Sequence, residues 1–438
     1  MIRALMIAVL LAVASSGMAR ADQRWIVLND IHFNPYDHSL RPHRGSDTNA
    51  ALWRLTLAQL RSEPQPTVVV LGGDLLAHHF EAQARDNGED PTAAALRTVR
   101  SITTDLGKTF PRAHFLIALG NNDDPCGDYR SETGGSYERQ LGALLQPLVN
   151  RDGAAPDFSS EFQRGGYYTV QLPQNMGRAV VLNSVFWSFV YRGGCSGSTR
   201  NAGGKELAWL SDVLRSPQRS VLVMHIPPGF DPLSTTSTQR ILAVPFLSGK
   251  ENRQFLSLVQ GAKDRIPFAI AGHTHRYDFR VAGGVPLLIA SSISPIYHNQ
   301  PAFYELNVAP DGTLRDVLPL TYDPWEESWY REVSFDKMYG VNAFTAENLQ
   351  RASQRINNDD DVRRKWIAAY DVWSYRMGDI ADHSWRVYWC AQTELEGGYG
   401  ACAGTQKRTT GLIVAAICGL LLVVALVAFS LRRAIARR

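Results

Sequence analysis

Five short apolar runs in this sequence each end in side chains that bind metal ions. Runs of this kind, rich in branched and small residues, predict strands buried in a mostly parallel sheet. Because the carboxyl ends of parallel strands meet at one edge, we expect a shared chemical site there. The runs and their ends are 25–28 with Asp30 and His32, 67–71 with Asp74, 114–119 with Asn121, 220–224 with His225, and 268–271 with His273 and His275.

The last of these ends carries the most specific ligand pattern. His273 and His275 are two residues apart after Gly272, and in an extended segment such positions point to the same side. Neutral imidazoles side by side are good ligands for transition metals. With the Asp, Asn and His residues at the other four ends, they predict a metal site.

The order of the motifs, D-x-H, G-D, G-N, H and G-H-x-H, resembles that of the calcineurin-like metallophosphoesterases. Three further stretches resemble the acid sphingomyelinase and endopolyphosphatase branch: GDLLAH at 73–78, HIPPG at 225–229 and SSISPIYHNQPAF at 291–303. The resemblance covers roughly residues 25–402. It implies an α/β fold of layered sheets flanked by helices, followed by a helical C-terminal subdomain.

The resemblance also implies how the ligands divide between two divalent metal ions. Asp74 bridges the two ions. Asp30, His32 and His275 complete the ligands of the first ion, and Asn121, His225 and His273 complete those of the second. A mixed His, Asp and Asn shell suits zinc, manganese or iron better than calcium. The likeness to acid sphingomyelinase implies zinc.

The GNND motif departs from most relatives. Where they carry G-N-H-D or G-N-H-E, with a histidine that protonates the leaving group, this chain has Asn122 followed by Asp123. The endopolyphosphatase branch also carries G-N-N-D, and a polyphosphate leaving group is already a weakly basic anion. A lipid alkoxide needs an acid, for which the resemblance offers His78. We therefore expect His78, Asn122 and Asp123 in the catalytic set.

Cationic and polar side chains of the predicted rim are candidates for holding an anionic substrate. Arg is well shaped to bind phosphate, and Arg192, Arg200 and Arg276 lie in predicted rim loops. His298 and Asn299 lie in a stretch that resembles the substrate edge of the family. The net charge is only +3 and the basic residues are scattered, so no nucleic-acid partner is expected.

Both ends of the chain resemble targeting segments. Arg3, the apolar run 4–13 and the Ala-Arg-Ala at 19–21 predict a signal peptide over 1–21. The charge-free run 411–431 is long enough to cross a bilayer, and arginines follow it in 432–438. We therefore predict a catalytic domain at 22–320, a helical subdomain at 321–404, a tether at 405–410, a transmembrane helix and a cytoplasmic tail.

This arrangement puts the catalytic domain outside the cytoplasm. No N-x-Ser/Thr acceptor is present in the sequence, which favours the periplasmic face of a bacterial inner membrane. Cys126, Cys195, Cys390 and Cys402 are then in an oxidising compartment, and their three possible pairings remain open. Cys418 lies in the predicted membrane run.

Helical spacing predicts the first covering helix over 48–62, with Asp47 or Thr48 as its cap, and others over 92–106, 205–214 and 251–259. Three functions fit the whole pattern. The first is an anchored phosphodiesterase of the acid sphingomyelinase type, favoured by lipid access through the anchor. The second is an endopolyphosphatase-like hydrolase, favoured by Asn122. The third is an inactive module that holds metal for binding, which the intact ligand set disfavours.

Overall fold

The computed structural model describes residues 21–195, 199–373, 380 and 384–405. The predicted signal peptide up to residue 20, and the predicted tether, membrane helix and tail from residue 406, lie outside these residues. In the part of the chain that is described, no helix is both long enough and apolar enough to span a bilayer.

The described chain alternates strands and helices, as the apolar runs predict. The strands are β1 (Gln23–Leu28), β2 (Val68–Leu71), β3 (His114–Ile117), β4 (Tyr168–Gln171), β5 (Arg178–Val181), β6 (Ser220–Val223), β7 (Phe230–Asp231), β8 (Val244–Pro245), β9 (Ala269–Ala271), β10 (Asp278–Ala282), β11 (Val285–Ile289), β12 (Ala302–Val308), β13 (Leu314–Asp323) and β14 (Ser328–Arg331). The helices are α1 (Ala50–Ser62), α2 (Phe80–Asp86), α3 (Pro91–Thr109), α4 (Ser136–Val149), α5 (Phe158–Phe162), α6 (Ala202–Arg215), α7 (Pro232–Ser237), α8 (Gly249–Ala262), α9 (Phe335–Tyr339), α10 (Ala346–Asn358), α11 (Asp360–Tyr370), α12 (Trp385–Cys390) and α13 (Tyr399–Cys402).

The strands form two six-stranded sheets and one small hairpin. The first sheet has the order β14-β13-β12-β1-β2-β3, the second has the order β10-β11-β9-β6-β5-β4, and β7 pairs with β8. The strands that end in candidate ligands are parallel to their neighbours: β1 with β2 and β2 with β3, and β6 with β9. The carboxyl ends of β1, β2 and β3 therefore meet at one edge of the first sheet, and those of β6 and β9 at one edge of the second. The prediction of one shared sheet edge is wrong, because the strands that end in ligands are divided between two sheets.

The two sheets pack face to face, with helices on their outer faces. The ring of Trp25 in the first sheet lies edge-on to Phe268 of the second, with ring centroids 5.6 Å apart. Side chains alternate along β6: Val221 and Val223 join the core between the sheets, while Leu222 joins the cluster under α6 and α8. This two-residue period is what a strand covered on both faces requires. The α/β class with layered sheets and flanking helices is confirmed.

Helix α1 begins two residues later than predicted. Asn49 is its N-cap, because the Asn49 side chain accepts a hydrogen bond from the Leu52 amide at 2.9 Å. The prediction of Asp47 or Thr48 as the cap is wrong. Asp47 instead turns toward His78 in the neighbouring loop, which makes it part of the site described below.

The first sheet continues beyond residue 320, where the sequence predicts a new subdomain. Strand β13 crosses that position and β14 pairs with it, so the helical part begins only at α9. This part packs onto both sheets, with α9 against β13 and α10 against β10 and β11. Disulfides join Cys126 to Cys195 and Cys390 to Cys402, which selects one of the three pairings.

Candidate metal centre

The predicted ligands of the first ion lie within a few ångströms of one another. His32 Nε2 is 3.4 Å from Asp74 Oδ2 and 3.1 Å from His275 Nε2. His275 Nε2 is 3.4 Å from Asp30 Oδ1. All four side chains are essentially buried. Donor atoms from the ends of β1, β2 and β9 thus converge on one small volume.

The predicted ligands of the second ion converge on the other side of Asp74. His225 Nε2 is 3.3 Å from Asp74 Oδ2 and 3.1 Å from the Asn121 side-chain oxygen. The donor atoms of Asp74, His225 and His273 all lie within 4.8 Å of one another. Asp74 belongs to both groups, as a bridging ligand must.

Hydrogen bonds behind the ligands set which atoms face the centre. His32 Nδ1 is 3.0 Å from the Leu76 carbonyl and His225 Nδ1 is 2.9 Å from the Gly72 carbonyl. A carbonyl oxygen can only accept a hydrogen bond, so both Nδ1 atoms carry the proton. The lone pair of each Nε2 atom is then free to bind a cation. The Asn121 amide nitrogen donates to Asp128 at 2.7 Å, which turns its oxygen inward.

The electrostatics of the centre suit two cations. Burial lowers the pKa of His32 to about 4 and that of His273 to about 3, which keeps both imidazoles neutral. Burial and the neighbouring Asp74 raise the pKa of Asp30 to about 7. His275 Nδ1 is buried without a hydrogen-bond partner among the described residues. Burial alone would lower the pKa of His225, but Asp74 and Asp30 outweigh it and raise that pKa to about 9, so this ring lies in a field that favours positive charge. Imidazoles, two crowded carboxylates and an amide oxygen fit zinc, manganese or iron(II).

The backbone at the ligands is in the left-handed region. The φ angles are 47° at Asp30, 45° at His32, 54° at Asp74, 72° at His273 and 54° at His275. A non-glycine residue there costs roughly 1–2 kcal/mol. Contacts between loops hold these residues in place: the Asp30 amide donates to the Gly73 carbonyl at 3.1 Å, and the His273 amide donates to the Asp30 carboxylate at 3.0 Å.

Asp123 lies behind the ligands rather than in the cleft. Its carboxylate accepts backbone amides from Asp74 (3.0 Å), Leu75 (2.7 Å), Leu76 (3.2 Å) and Gly120 (2.8 Å). With both oxygens occupied, Asp123 has no acceptor site left for a substrate. The expected catalytic role is not supported, and Asp123 is a positioning residue for the loop that carries Asp74.

Asp123→Asn should destabilise the protein and weaken metal binding together. The new amide group would point its N–H bonds at backbone N–H donors, which leaves buried donors unsatisfied and costs about 1–3 kcal/mol. Urea denaturation of the metal-free protein measures the first effect, and zinc titration the second. Asp212→Asn on the exposed face of α6 is the matched control. Unchanged stability in both variants would contradict the assigned role.

Asn122 is turned toward the shared carboxylate. Its backbone amide donates to Asp74 Oδ1 at 2.7 Å, and its side-chain amide donates to Asp74 Oδ2 at 2.8 Å. The side chain is buried and has no proton to transfer to a leaving group. In this arrangement, Asn122 orients Asp74.

His78 forms a pair with Asp47 at the edge of the centre. Its Nδ1 is 2.9 Å from Asp47 Oδ1, and its backbone amide donates to Asp47 Oδ2 at 2.9 Å. The ring stacks on His32 at 4.1 Å, and one ring nitrogen lies within 4.8 Å of the donor atoms of His32 and His275. Burial alone would lower the pKa of His78, but the hydrogen bond and charge of Asp47 outweigh it and raise that pKa.

Two of the predicted substrate contacts have structural partners instead. Arg276 is buried: its guanidinium donates to the His275 and Tyr297 carbonyls and lies 3.5 Å from Asp371 of the C-terminal part. Asn299 is also buried, and its amide donates to Ser292 and to two backbone carbonyls. The expectation that these two bind substrate is not supported, because both side chains are buried and hydrogen-bonded within the protein.

The other predicted contacts remain accessible. Arg192 and Arg200 are exposed in the loop before α6, and the charge of Arg192 counteracts the rise that burial causes in the pKa of Asp128. His298 is exposed, and its ring lies against Gly45, where an added Cβ would be 2.8 Å from it. Arg192 is therefore a rim cation whose charge acts on Asp128, the residue that accepts a hydrogen bond from the Asn121 amide.

Four neighbours of the centre were not predicted from the sequence. Asp47 holds His78 and Asp128 holds Asn121. The hydroxyl of Tyr129 is 3.4 Å from His273 Nε2, and the ring of Tyr297 lies edge-on to those of His275 and His78. The signal for Asp128 and Tyr129 was their place in the loop that follows GNND, after the four residues 124–127. Tyr297 lies in the 291–303 stretch, next to His298, whereas Asp47 carries no such local signal.

Two ligand groups that share one aspartate, at the carboxyl ends of strands in two facing sheets, define a two-metal hydrolase centre. The family model for calcineurin-like phosphoesterases matches residues 24–277, more than half of the chain. The chain belongs to this family. It is a metal-dependent phosphoesterase, and the enzymes of this family bind two divalent metal ions.

Individual relatives are distant. The chain is 21% identical over 351 residues to "Sphingomyelinase phosphodiesterase D" of Dictyostelium discoideum, covering 73% of this chain and 74% of that protein. A dimetal phosphatase from Danio rerio is similar in structure at 15% identity, with a TM-score of 0.45, over 68% of this chain and 96% of the phosphatase. A calcineurin-like phosphoesterase from Bacillus subtilis has a TM-score of 0.32 at 13% identity, over 78% and 99%.

Proposed function

We propose that this protein is a phosphodiesterase of the acid sphingomyelinase type, in which His78 protonates the leaving alcohol. The observation that carries the proposal is the Asp47–His78 pair. An imidazole whose pKa is raised and whose Nδ1 is held by a carboxylate suits a general acid. The distant likeness to a Dictyostelium sphingomyelinase supports the same substrate class.

Each group at the centre then has one task. Two divalent ions, when bound, polarise the phosphoryl oxygens and supply hydroxide at neutral pH. Asp74 and Asp30 carry two negative charges, which leaves room for the charge of a diester. Asn122 holds Asp74 in place, and His78 delivers the proton to the departing oxygen. Arg192 attracts the anionic substrate at the rim.

The alternative is an endopolyphosphatase-like hydrolase. The observation that favours it is Asn122, which replaces the usual acid and donates to Asp74. A phosphate leaving group needs no proton donor of high pKa, so His78 would be dispensable for that reaction. The third possibility, an inactive binding module, fits poorly with seven ligand side chains in matching positions.

A substrate panel with the zinc-loaded and manganese-loaded enzyme separates these functions. We expect turnover of sphingomyelin and of 4-nitrophenyl diesters, and about two metal ions per chain. Polyphosphate should be a poor substrate. Preference for polyphosphate over every ester would establish the alternative, and metal binding without any hydrolysis would establish the binding module.

We also propose that the catalytic domain lies outside the cytoplasm and is anchored by residues 411–431. The two disulfides suit an oxidising compartment, and the sequence supplies the predicted signal and anchor. Protease added to intact spheroplasts should then remove the domain and leave a small C-terminal fragment. Full protection of the domain would mean the opposite orientation.

A further inference from the structure

Half of the large apolar side chains that are exposed in the described chain lie in two segments beside the metal centre. They are Phe189, Val190, Leu233, Ile241 and Leu242, with exposed fractions between 40% and 59%. The last three belong to the segment from β7 through α7 to β8, residues 230–245, which we call the rim hairpin. Exposed clusters of this kind mark surfaces that contact another apolar phase.

The two segments are joined by backbone contacts. The Phe189 amide donates to the Phe246 carbonyl at 2.9 Å, and Ser188 pairs with Leu247 in an isolated β-bridge. Phe246 directly follows β8. The loop with Phe189 and Val190 is therefore fixed next to the base of the rim hairpin.

This surface is joined rigidly to the metal centre. The ring of Phe246 lies edge-on to His273 with centroids 5.4 Å apart. The buried Arg280 donates to the carbonyls of Pro228 and Phe230, the segment that joins His225 to the hairpin. A surface that rests on the rim hairpin therefore has a fixed orientation to the two-metal site.

The rim hairpin holds one acidic and one basic residue. The acid, Asp231, is the N-cap of α7 and accepts the Ser234 amide at 3.0 Å, whereas the base, Arg240, is exposed beside Ile241 and Leu242. Exposed leucine and isoleucine beside basic residues are typical of segments that rest in the interface of an anionic bilayer.

The C-terminal end of the described chain lies against the same hairpin. Tyr399 in α13 stacks on Phe230 with centroids 4.4 Å apart, and it is hydrogen-bonded to Thr235 in α7. The described residues end at Thr405, and the apolar run begins at residue 411. Six fully extended steps span roughly 20 Å. A bilayer that holds 411–431 therefore starts close to the rim hairpin.

We infer that the rim hairpin, with Phe189 and Val190, docks on the lipid bilayer and turns the metal centre toward the headgroups. This inference rests on the proposed phosphodiesterase and its anchor, and it adds the surface through which substrate enters. A diester in the bilayer would then reach the metal centre without leaving the interface. The anchor keeps the catalytic domain close to the bilayer, and the hairpin orients the metal centre toward it.

Docking is tested without activity by a fluorescent label on the hairpin. The full chain carries Cys418→Ala and Leu242→Cys, and the new thiol bears an environment-sensitive fluorophore. The protein is reconstituted in phosphatidylcholine vesicles with and without phosphatidylglycerol. We expect blue-shifted emission that spin-labelled lipids quench, more strongly with the anionic lipid. Val333→Cys, 49% exposed beyond β14, is the matched control. Equal quenching at both positions would overturn the inference.

Activity gives a second, separate measurement. Leu242→Glu should lower turnover of a diester presented in the vesicles by roughly tenfold, because one large apolar contact with lipid is lost. Turnover of a soluble aryl diester should be unchanged, as should both activities of Val333→Glu. Equal turnover of the bilayer substrate by Leu242→Glu and wild type would contradict docking. Absence of all diester turnover in wild type would count against the proposed function alone, since the fluorescence result stands by itself.

Discussion

Asp74→Asn should abolish both metal binding and catalysis. Asp74 is within 3.4 Å of a histidine of each ligand group, and an amide offers one neutral oxygen where the carboxylate offers two charged ones. Loss of metal-ion stabilisation of the transition state is worth several kcal/mol, so turnover should fall roughly 10³-fold or more. Initial rates on an activated aryl diester measure this.

Thermal unfolding provides a readout that does not depend on turnover. Wild-type protein should melt at a higher temperature when zinc is added, because the ions bind only the folded state. The Asp74→Asn variant should melt at nearly the same temperature with and without zinc. Asp86→Asn, an exposed aspartate at the end of α2, should behave as wild type. Zinc-dependent stabilisation of Asp74→Asn equal to that of wild type would show that Asp74 is not the shared ligand.

His78→Gln should separate substrates by the basicity of the leaving group. If His78 supplies the proton, esters of ordinary alcohols should lose about 10²–10⁴-fold in kcat. Esters of 4-nitrophenol, whose anion departs without help, should lose little. Asp47→Asn should show the same pattern with a smaller loss, because the imidazole remains but its Nδ1 partner is weakened.

The neighbouring histidine supplies a matched control. His79 is exposed and has a left-handed backbone with φ of 55°, which asparagine tolerates, so His79→Asn should leave both substrates unaffected. Equal losses on both leaving groups in His78→Gln would assign His78 to substrate positioning. No loss on either would remove it from the reaction and strengthen the polyphosphate alternative.

The metal ligands were predictable because the strand pattern and the chemistry coincide. Each apolar run had to be a buried strand, and each ended in a residue type that binds metal. Parallel pairing brings Asp30 and Asp74 to one edge of the first sheet, and His225 and His273 to one edge of the second. The packing of the two sheets then brings these edges together, which the sequence pattern did not predict. The α/β class was predicted from the same runs. The structure adds that the strands form two sheets packed face to face.

Loop side chains were not predictable, because their partners are remote in sequence. Asp47 resembled a helix cap, yet Asn49 takes that position and frees Asp47 to hold His78, 31 residues away. From the sequence, Arg276 was predicted to be a cation of the rim. In the structure its guanidinium lies beside Asp371 of the C-terminal part. Whether a polar side chain faces solvent or a buried partner depends on packing between elements, which no local pattern encodes.

The hydrogen bonds between the loops that carry the ligand residues affect how the two ions bind. Loops from β1, β2 and β9 are hydrogen-bonded to one another at the ligands themselves, so neither shell can rearrange alone. The first ion to bind must therefore also order some of the ligands of the other ion. Such coupling makes loading cooperative. Molecules with a single ion should then be scarce throughout a titration, and the enzyme should switch between empty and doubly loaded forms.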